Sequence, residues 1–252
     1  MFSDEGNEAR ARALERFLQR PYFNKSDVQT IFEFCKKGAK TRTKALDRFL
    51  QREFFTRFDV VTIFEFSDEG DRGRTKALQR LLQKNHFDRS DLKTVFKFSE
   101  EGDALRTKAV DRFLELKKMC IPDVETIFAL TEQGDETRTK ALERLLKCDY
   151  FNKLDIKTIF DLSEEGAETR TQALARFLRR THFGKPEVAI IYTHTKKGDE
   201  ARKMALRRLL ERESFNETDV NAIFEGSEEG DEIRTEALHR LSSVKKSLSG
   251  QC

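Results

Sequence analysis

Glycine recurs every 32 residues along this chain of 252 residues, without a single insertion or deletion. Two arginines follow each of these glycines, one four residues and the other ten residues after the glycine. A fixed period of this length is typical of proteins built from stacked repeats, in which each unit packs against its neighbours along the chain. Such a chain has no obvious unique site, which argues against an enzyme. The eight glycines are Gly6, Gly38, Gly70, Gly102, Gly134, Gly166, Gly198 and Gly230.

Residues 23–54 illustrate how one repeat is expected to fold. Asn24 and Asp27 have the spacing of a capping box, which predicts that a first helix begins here. Apolar residues follow at the i, i+3, i+4 and i+7 positions of an amphipathic helix. Gly38 is predicted to end this helix in the left-handed conformation. A second amphipathic helix is expected to begin directly after the glycine, with aspartate as its N-cap in most repeats.

Neither helix can bury its apolar stripe alone, so neighbouring repeats must stack. The sequence therefore predicts an all-α fold: a right-handed α-solenoid of about seven and a half tandem 32-residue helical-hairpin repeats. A single domain is expected over residues 1–246, with half-repeat caps at 1–20 and 230–246. Residues 247–252 are expected to form a flexible tail.

The size of the unit is similar to that of tetratricopeptide, ankyrin and TAL-effector-type helical repeats. The Trp-Leu-Gly-Tyr pattern of the first family and the Thr-Pro-Leu-His pattern of the second are absent. In residues 151–178 the glycine and the Ala-Leu pair fall later than in the third family. The resemblance is one of size class, and no family is identified from these residues.

Basic residues often stand four positions before and four positions after the second arginine of a repeat. This spacing places the three side chains on one face of the second helix. A column of aromatic and histidine residues lies just beyond, at Tyr22, Phe54, His86, Tyr150 and His182. The candidate ligand-binding ribbon comprises Arg12, Arg16, Arg20, Lys44, Arg48, Arg52, Lys76, Arg80, Lys84, Lys108, Arg112, Lys140, Arg144, Arg176, Arg180, Arg208 and Arg212.

Two interpretations of this basic ribbon remain open. An open ribbon beside stackable rings could track the backbone of a nucleic acid. Alternatively, the acidic residues before each glycine, such as Glu69 and Glu101, could pair with the arginines and neutralise the ribbon. Burial of the second arginine of each repeat distinguishes the two interpretations.

The first arginine of each repeat is predicted to be structural. Its guanidinium can satisfy the carbonyl groups at the end of the first helix, or pair with a carboxylate of the turn. The residues predicted to have structural roles are Arg42, Arg74, Arg106, Arg138, Arg170 and Arg202, with Gly38, Gly70, Gly102, Gly134, Gly166 and Gly198.

The remaining sequence features exclude several classes of function. The four histidines and four cysteines do not form a catalytic or metal-binding pattern, so we expect no catalytic residue, no metal and no cofactor. The net charge is only +3, and no apolar run is long enough for a membrane helix. We expect an intracellular protein, cytoplasmic or nuclear, with reduced thiols and without a membrane partner.

The expected function is that of a non-enzymatic helical-repeat scaffold that binds a protein or peptide partner along the solenoid surface. The alternative is a nucleic-acid-binding solenoid that uses the basic ribbon on its second helices.

Overall fold

The computed structural model describes residues 4–115 and 118–249 of the chain. Over these residues the secondary structure consists of fifteen α-helices without a strand, so the all-α prediction is confirmed. Contacts group the residues into two compact units, 1–117 and 118–252, and the single domain over 1–246 stays a prediction. The last helix reaches Ser249 and thus enters the predicted tail, whereas residues 250–252 lie outside the described residues.

Each unit is a series of paired helices. A first helix packs against the second helix of its own repeat, and helices of the same kind pack side by side, as is typical of a helical-repeat solenoid. The first unit contains α1 (Asp4–Leu18), α2 (Lys25–Phe34), α3 (Lys40–Leu50), α4 (Arg57–Phe66), α5 (Arg72–Leu82), α6 (Arg89–Phe98) and α7 (Ala104–Leu114). The second contains α8 (Ile121–Leu130), α9 (Glu136–Leu146), α10 (Lys153–Leu162), α11 (Glu168–Leu178), α12 (Lys185–His194), α13 (Glu200–Leu210), α14 (Glu217–Gly226) and α15 (Glu232–Ser249).

Local capping interactions fix where the helices begin. At α2 the Asn24 side chain accepts hydrogen bonds from the backbone N–H groups of Ser26 and Asp27. The Asp27 carboxylate accepts in return from the Asn24 N–H, at 3.0 Å, which completes the predicted capping box. At α5 Asp71 accepts from the Gly73 N–H at 2.7 Å, as expected for an aspartate N-cap. Caps of this kind contribute about 1 kcal/mol each.

The repeated glycine does not cap the first helix directly, which corrects the sequence prediction. Helix α2 ends at Phe34, and its C-cap Cys35 has extended backbone dihedrals. A turn closed by a hydrogen bond from the Ala39 N–H to the Lys36 carbonyl follows, and Gly38 within it has φ +80°. A Cβ atom there would meet nothing within 4 Å, so the backbone conformation rather than space requires glycine.

Gly6, unlike Gly38, does not follow the end of a helix. It lies inside α1, which runs without a break from Asp4 to Leu18. The described residues contain no first helix before Gly6, so no hairpin turn is needed at this position.

The apolar face of each helix is buried as the periodicity predicts. In one repeat Val28 and Ile31 of the first helix and Ala45 and Phe49 of the second are fully buried. A large apolar side chain that is fully buried contributes roughly 1.5–3 kcal/mol, so this packed layer is the main source of stability. It also fixes the positions of the polar side chains that extend from the two helices.

Candidate functional site

In every repeat whose first helix is described, the structure places the first arginine at the end of that helix. Arg106 donates from Nε to the Ser99 hydroxyl at 3.2 Å, and from Nη2 to the carbonyl oxygens of Phe96 and Ser99 at 3.0 and 2.6 Å. Its guanidinium also lies 5.2 Å from the centroid of the Phe96 ring. The carbonyl groups at a helix end have no partner within the helix, so the arginine satisfies them. Equivalent bonds to the same two carbonyl positions are made by Arg42, Arg74, Arg138, Arg170, Arg202 and Arg234.

The second arginine of most repeats connects neighbouring repeats within a unit. Arg48 donates from Nη2 to the carbonyl oxygen of Arg20, which follows the preceding second helix, at 2.8 Å. Its guanidinium lies 5.8 Å from the centroid of the buried Phe23 ring. The same bond, from each arginine to the carbonyl 28 residues earlier, joins Arg80 to Arg52, Arg112 to Lys84, Arg176 to Cys148, Arg208 to Arg180 and Arg240 to Arg212.

The second arginines that make this bond therefore form neither an open ribbon nor ion pairs with the acidic turns. Arg48 and Arg80 are half-buried, and the nitrogens that donate are directed to backbone carbonyls. The interpretation in which they pair with Glu69 and Glu101 has no support in the described contacts, where Arg48 and Arg80 donate to backbone carbonyls. Acidic turn residues pair instead with lysines of the neighbouring turn, as in Lys37 with Asp68 at 3.3 Å.

The basic residue four positions after the second arginine forms an ion pair with the acidic residue of the next capping box. Lys84 Nζ lies 2.6 Å from Oδ2 of Asp91, a carboxylate that is completely buried. That oxygen also accepts from the Asp88 N–H, which leaves Asp91 Oδ1 buried without a hydrogen-bond partner. Arginine makes the equivalent pair elsewhere: Arg20 with Asp27, Arg52 with Asp59, Arg180 with Glu187 and Arg212 with Asp219.

Most ribbon residues four positions before the second arginine form ion pairs with exposed carboxylates of the described chain. Lys44 pairs with Glu15 at 3.0 Å, and Lys76 lies 3.5 Å from Asp47. Exposed pairs of this kind contribute less than about 1 kcal/mol. Three further members are Arg12, which lies 3.8 Å from Glu8, Lys140, which lies 3.0 Å from Glu136, and Lys108, which is exposed. The first unit also leaves Arg16 exposed, whereas Arg144 of the second unit is half-buried.

The column of aromatic and histidine residues remains accessible. The exposed fractions of Tyr22, Phe54 and Tyr150 are 90%, 79% and 87%, and His86 and His182 are exposed as well. These five residues, called the ring column below, lie in the loops that join a second helix to the next first helix. They lie beside the predicted ribbon and are exposed in every case.

Open clefts follow the ring column in the second unit. One of about 470 Å³ is lined by Tyr150, His182, Arg176 and Arg179. A neighbouring cleft of about 800 Å³ lies between residues 181–187 and 208–219 and shares His182 with the first. Successive loops thus border one surface that could hold an extended ligand.

Metal-ligating and titratable side chains are a further feature of the described chain. No group of three or more histidine, cysteine or acidic residues is placed to hold a metal ion in the described parts. Burial lowers the pKa of His194, whose ring lies 4.7 Å from that of Phe160. Burial likewise raises the pKa of the Cys148 thiol. Among the residues that the structure describes, no helix is long and apolar enough to span a membrane.

Comparison with known proteins does not assign the chain to a family. No protein-family model matches it, and no curated protein matches it. The function is therefore inferred from the geometry of the residues described above.

Proposed function

We propose that this protein is a non-enzymatic helical-repeat scaffold that binds a protein or peptide partner through its ring column. The observation that carries this proposal is the position of Tyr150, which is 87% exposed and lines an open cleft together with His182. Large exposed rings that recur at one repeat position form a pattern, whereas the apolar side chains of an ordinary surface are scattered singly.

The use of the basic residues supports a peptide rather than a nucleic acid. A phosphate-tracking ribbon needs free cations, whereas Arg176 donates to the carbonyl of Cys148 and Arg180 pairs with Glu187. Tyrosine, in contrast, is enriched among the residues that dominate protein interfaces, because its ring buries a large area with little loss of conformational freedom. An extended peptide lying along the loops of the second unit would contact a ring in two successive repeats, at Tyr150 and His182.

The test is a selection from a random peptide library displayed on phage, with the full chain immobilised. Enriched peptides are synthesised and titrated against the wild type, a Tyr150→Ser/His182→Ser variant and a Leu154→Ser control. Leu154 is 56% exposed in the adjacent helix but lies outside the ring column. Loss of one interface hot spot costs about 2 kcal/mol, so the double variant should bind at least roughly 30-fold more weakly. The Leu154→Ser variant should bind as the wild type does.

Titration with single-stranded RNA and DNA over a salt series is run in parallel. Binding that weakens steeply with salt and depends on Tyr150, without any enriched peptide, would favour the nucleic-acid alternative. Equal peptide affinity of the double variant and the wild type would overturn the proposed role of the ring column.

A further inference from the structure

The outer faces of neighbouring first helices are joined by an ion pair in two places. Lys25 of α2 lies 2.6 Å from Glu65 of α4, and Lys185 of α12 lies 3.2 Å from Glu225 of α14. In both pairs the residues are 40 positions apart. Side chains at these two positions are therefore close enough to interact across the helix pair.

The same two positions carry like charges between α4 and α6. Arg57 and Lys97 stand 32 residues after Lys25 and Glu65, so a cation replaces the carboxylate. Lys93 and Lys97 are exposed on one face of α6, and no described carboxylate lies within ion-pair distance of either. Arg57 is 3.9 Å from Asp88, at the limit of an ion pair. Positive charge on this face is thus left uncompensated within the described chain.

Two exposed apolar side chains lie on the same helix as Arg57. Phe58 and Val61, three residues apart on α4, are 68% and 40% exposed. The Arg57 guanidinium lies 4.9 Å from the centroid of the Phe58 ring. Polar residues occupy the equivalent positions of α2, at Ser26 and Gln29. Helix α4 therefore exposes two apolar side chains where its neighbour α2 has polar ones.

We propose that this face, formed by Arg57, Phe58, Val61, Lys93 and Lys97 and called the α4–α6 patch, binds an acidic peptide segment with an apolar anchor. Carboxylates of the segment pair with the two lysines, and its apolar side chain packs on the Phe58 ring and the Val61 methyl groups. Electrostatic complementarity of this kind determines which partners bind and how fast they associate.

Carboxylates at the border of the patch favour a peptide over a phosphate polymer. Glu65 and Asp88 are exposed beside the patch residues and would repel the closely spaced phosphates of a nucleic acid. A peptide segment with a few carboxylates can place them on Lys93 and Lys97 and avoid both. The patch is separate from the ring column and does not depend on the function proposed for it.

The test uses an array of fluorescent 12-residue peptides that contain glutamate and leucine in every relative spacing, with matched arrays in which glutamine or lysine replaces glutamate. Glutamate peptides should bind the wild-type chain at least tenfold more tightly than their glutamine counterparts. The Lys93→Glu/Lys97→Glu variant should no longer bind the glutamate peptides and should bind the lysine peptides instead. Phe58→Ser should weaken binding of the glutamate peptides at least tenfold.

Controls separate this patch from general charge and from the ring column. Lys40→Glu reverses a cation on α3 that is likewise exposed, and it should leave binding unchanged. Tyr150→Ser/His182→Ser should also leave it unchanged, so failure of one proposal does not decide the other. The milder Lys93→Gln/Lys97→Gln variant, with helix content checked by circular dichroism, excludes misfolding as the cause of a loss.

Three results would overturn the proposal. The first is an array without a bound glutamate peptide, and the second is equal binding by the Lys93→Gln/Lys97→Gln variant. The third is binding of single-stranded DNA or of phosphatidylserine vesicles that these variants abolish, because the patch would then recognise phosphate.

Discussion

Replacing Arg74 by lysine tests whether the first arginine of each repeat holds the hairpin together. Arg74 donates from Nε to the Ser67 hydroxyl at 3.0 Å and from Nη2 to the carbonyl oxygens of Phe64 and Ser67, at 3.2 and 2.7 Å. One planar group thus connects α5 to the carbonyl end of α4. Lysine keeps the positive charge but concentrates it on a single nitrogen atom.

We expect Arg74→Lys to lose about 2–4 kcal/mol of local stability. One ammonium can retain one of the three hydrogen bonds, and hydrogen bonds to charged groups contribute roughly 1.5–3 kcal/mol each. Loss of two bonds would therefore reach about 3–6 kcal/mol if the acceptors stayed dry. The site is half-buried, so water can replace part of what is lost, and the expected loss of about 2–4 kcal/mol is therefore smaller than this dry-site value.

Native-state hydrogen exchange is the suitable measurement, because a repeat protein can open locally without unfolding as a whole. Amides of α4 and α5 should show the lowered opening free energy. The matched control is Arg72→Lys, in the same helix, because Arg72 is exposed and has no side-chain partner among the described residues. If the two variants agree within about 0.5 kcal/mol, the usual range of surface substitutions, the structural role of Arg74 is refuted.

Three further predictions concern single positions. Lys84→Arg should raise the free energy of unfolding by about 1 kcal/mol in urea titrations, because the planar guanidinium of arginine can also reach the unpartnered Asp91 Oδ1. An unchanged midpoint of the urea titration would contradict this. Gly226→Ala should destabilise the chain although alanine favours helices, since the new Cβ would lie 2.8 Å from the Tyr192 hydroxyl; a double-mutant cycle with Tyr192→Phe should reveal coupling between the two positions. Burial lowers the folded-state pKa of His194 below its ordinary 6.5. The stability that the neutral His194 ring contributes is therefore complete above pH 6.5 and is lost as the pH falls through the lower folded-state pKa. His194→Phe should remove this part of the pH dependence of the unfolding free energy.

Much of the helical framework could be predicted from the sequence because its determinants are local. The Asn24 and Asp27 capping box depends on residues three apart, and the buried faces of the helices follow from a period of 3.6 residues. The end of the first helix was less predictable. Helix α2 ends at Phe34 with the extended residue Cys35, and the left-handed Gly38 lies four residues beyond Phe34 in the following turn.

The roles of the basic residues were decided only by the tertiary structure. The sequence places Arg48, Arg52 and Glu69 at suitable spacings, but many carboxylates and all backbone carbonyls are candidate partners for a guanidinium. Stacking of the repeats brings the carbonyl of Arg20 to Arg48, a contact 28 residues apart that no local pattern records. Carbonyl groups at a helix end have no partner within the helix, and only packing determines which side chain reaches them. The sequence by itself therefore determined where the helices form, whereas the packing of the repeats determined which charges are already satisfied and which side chains remain accessible for binding.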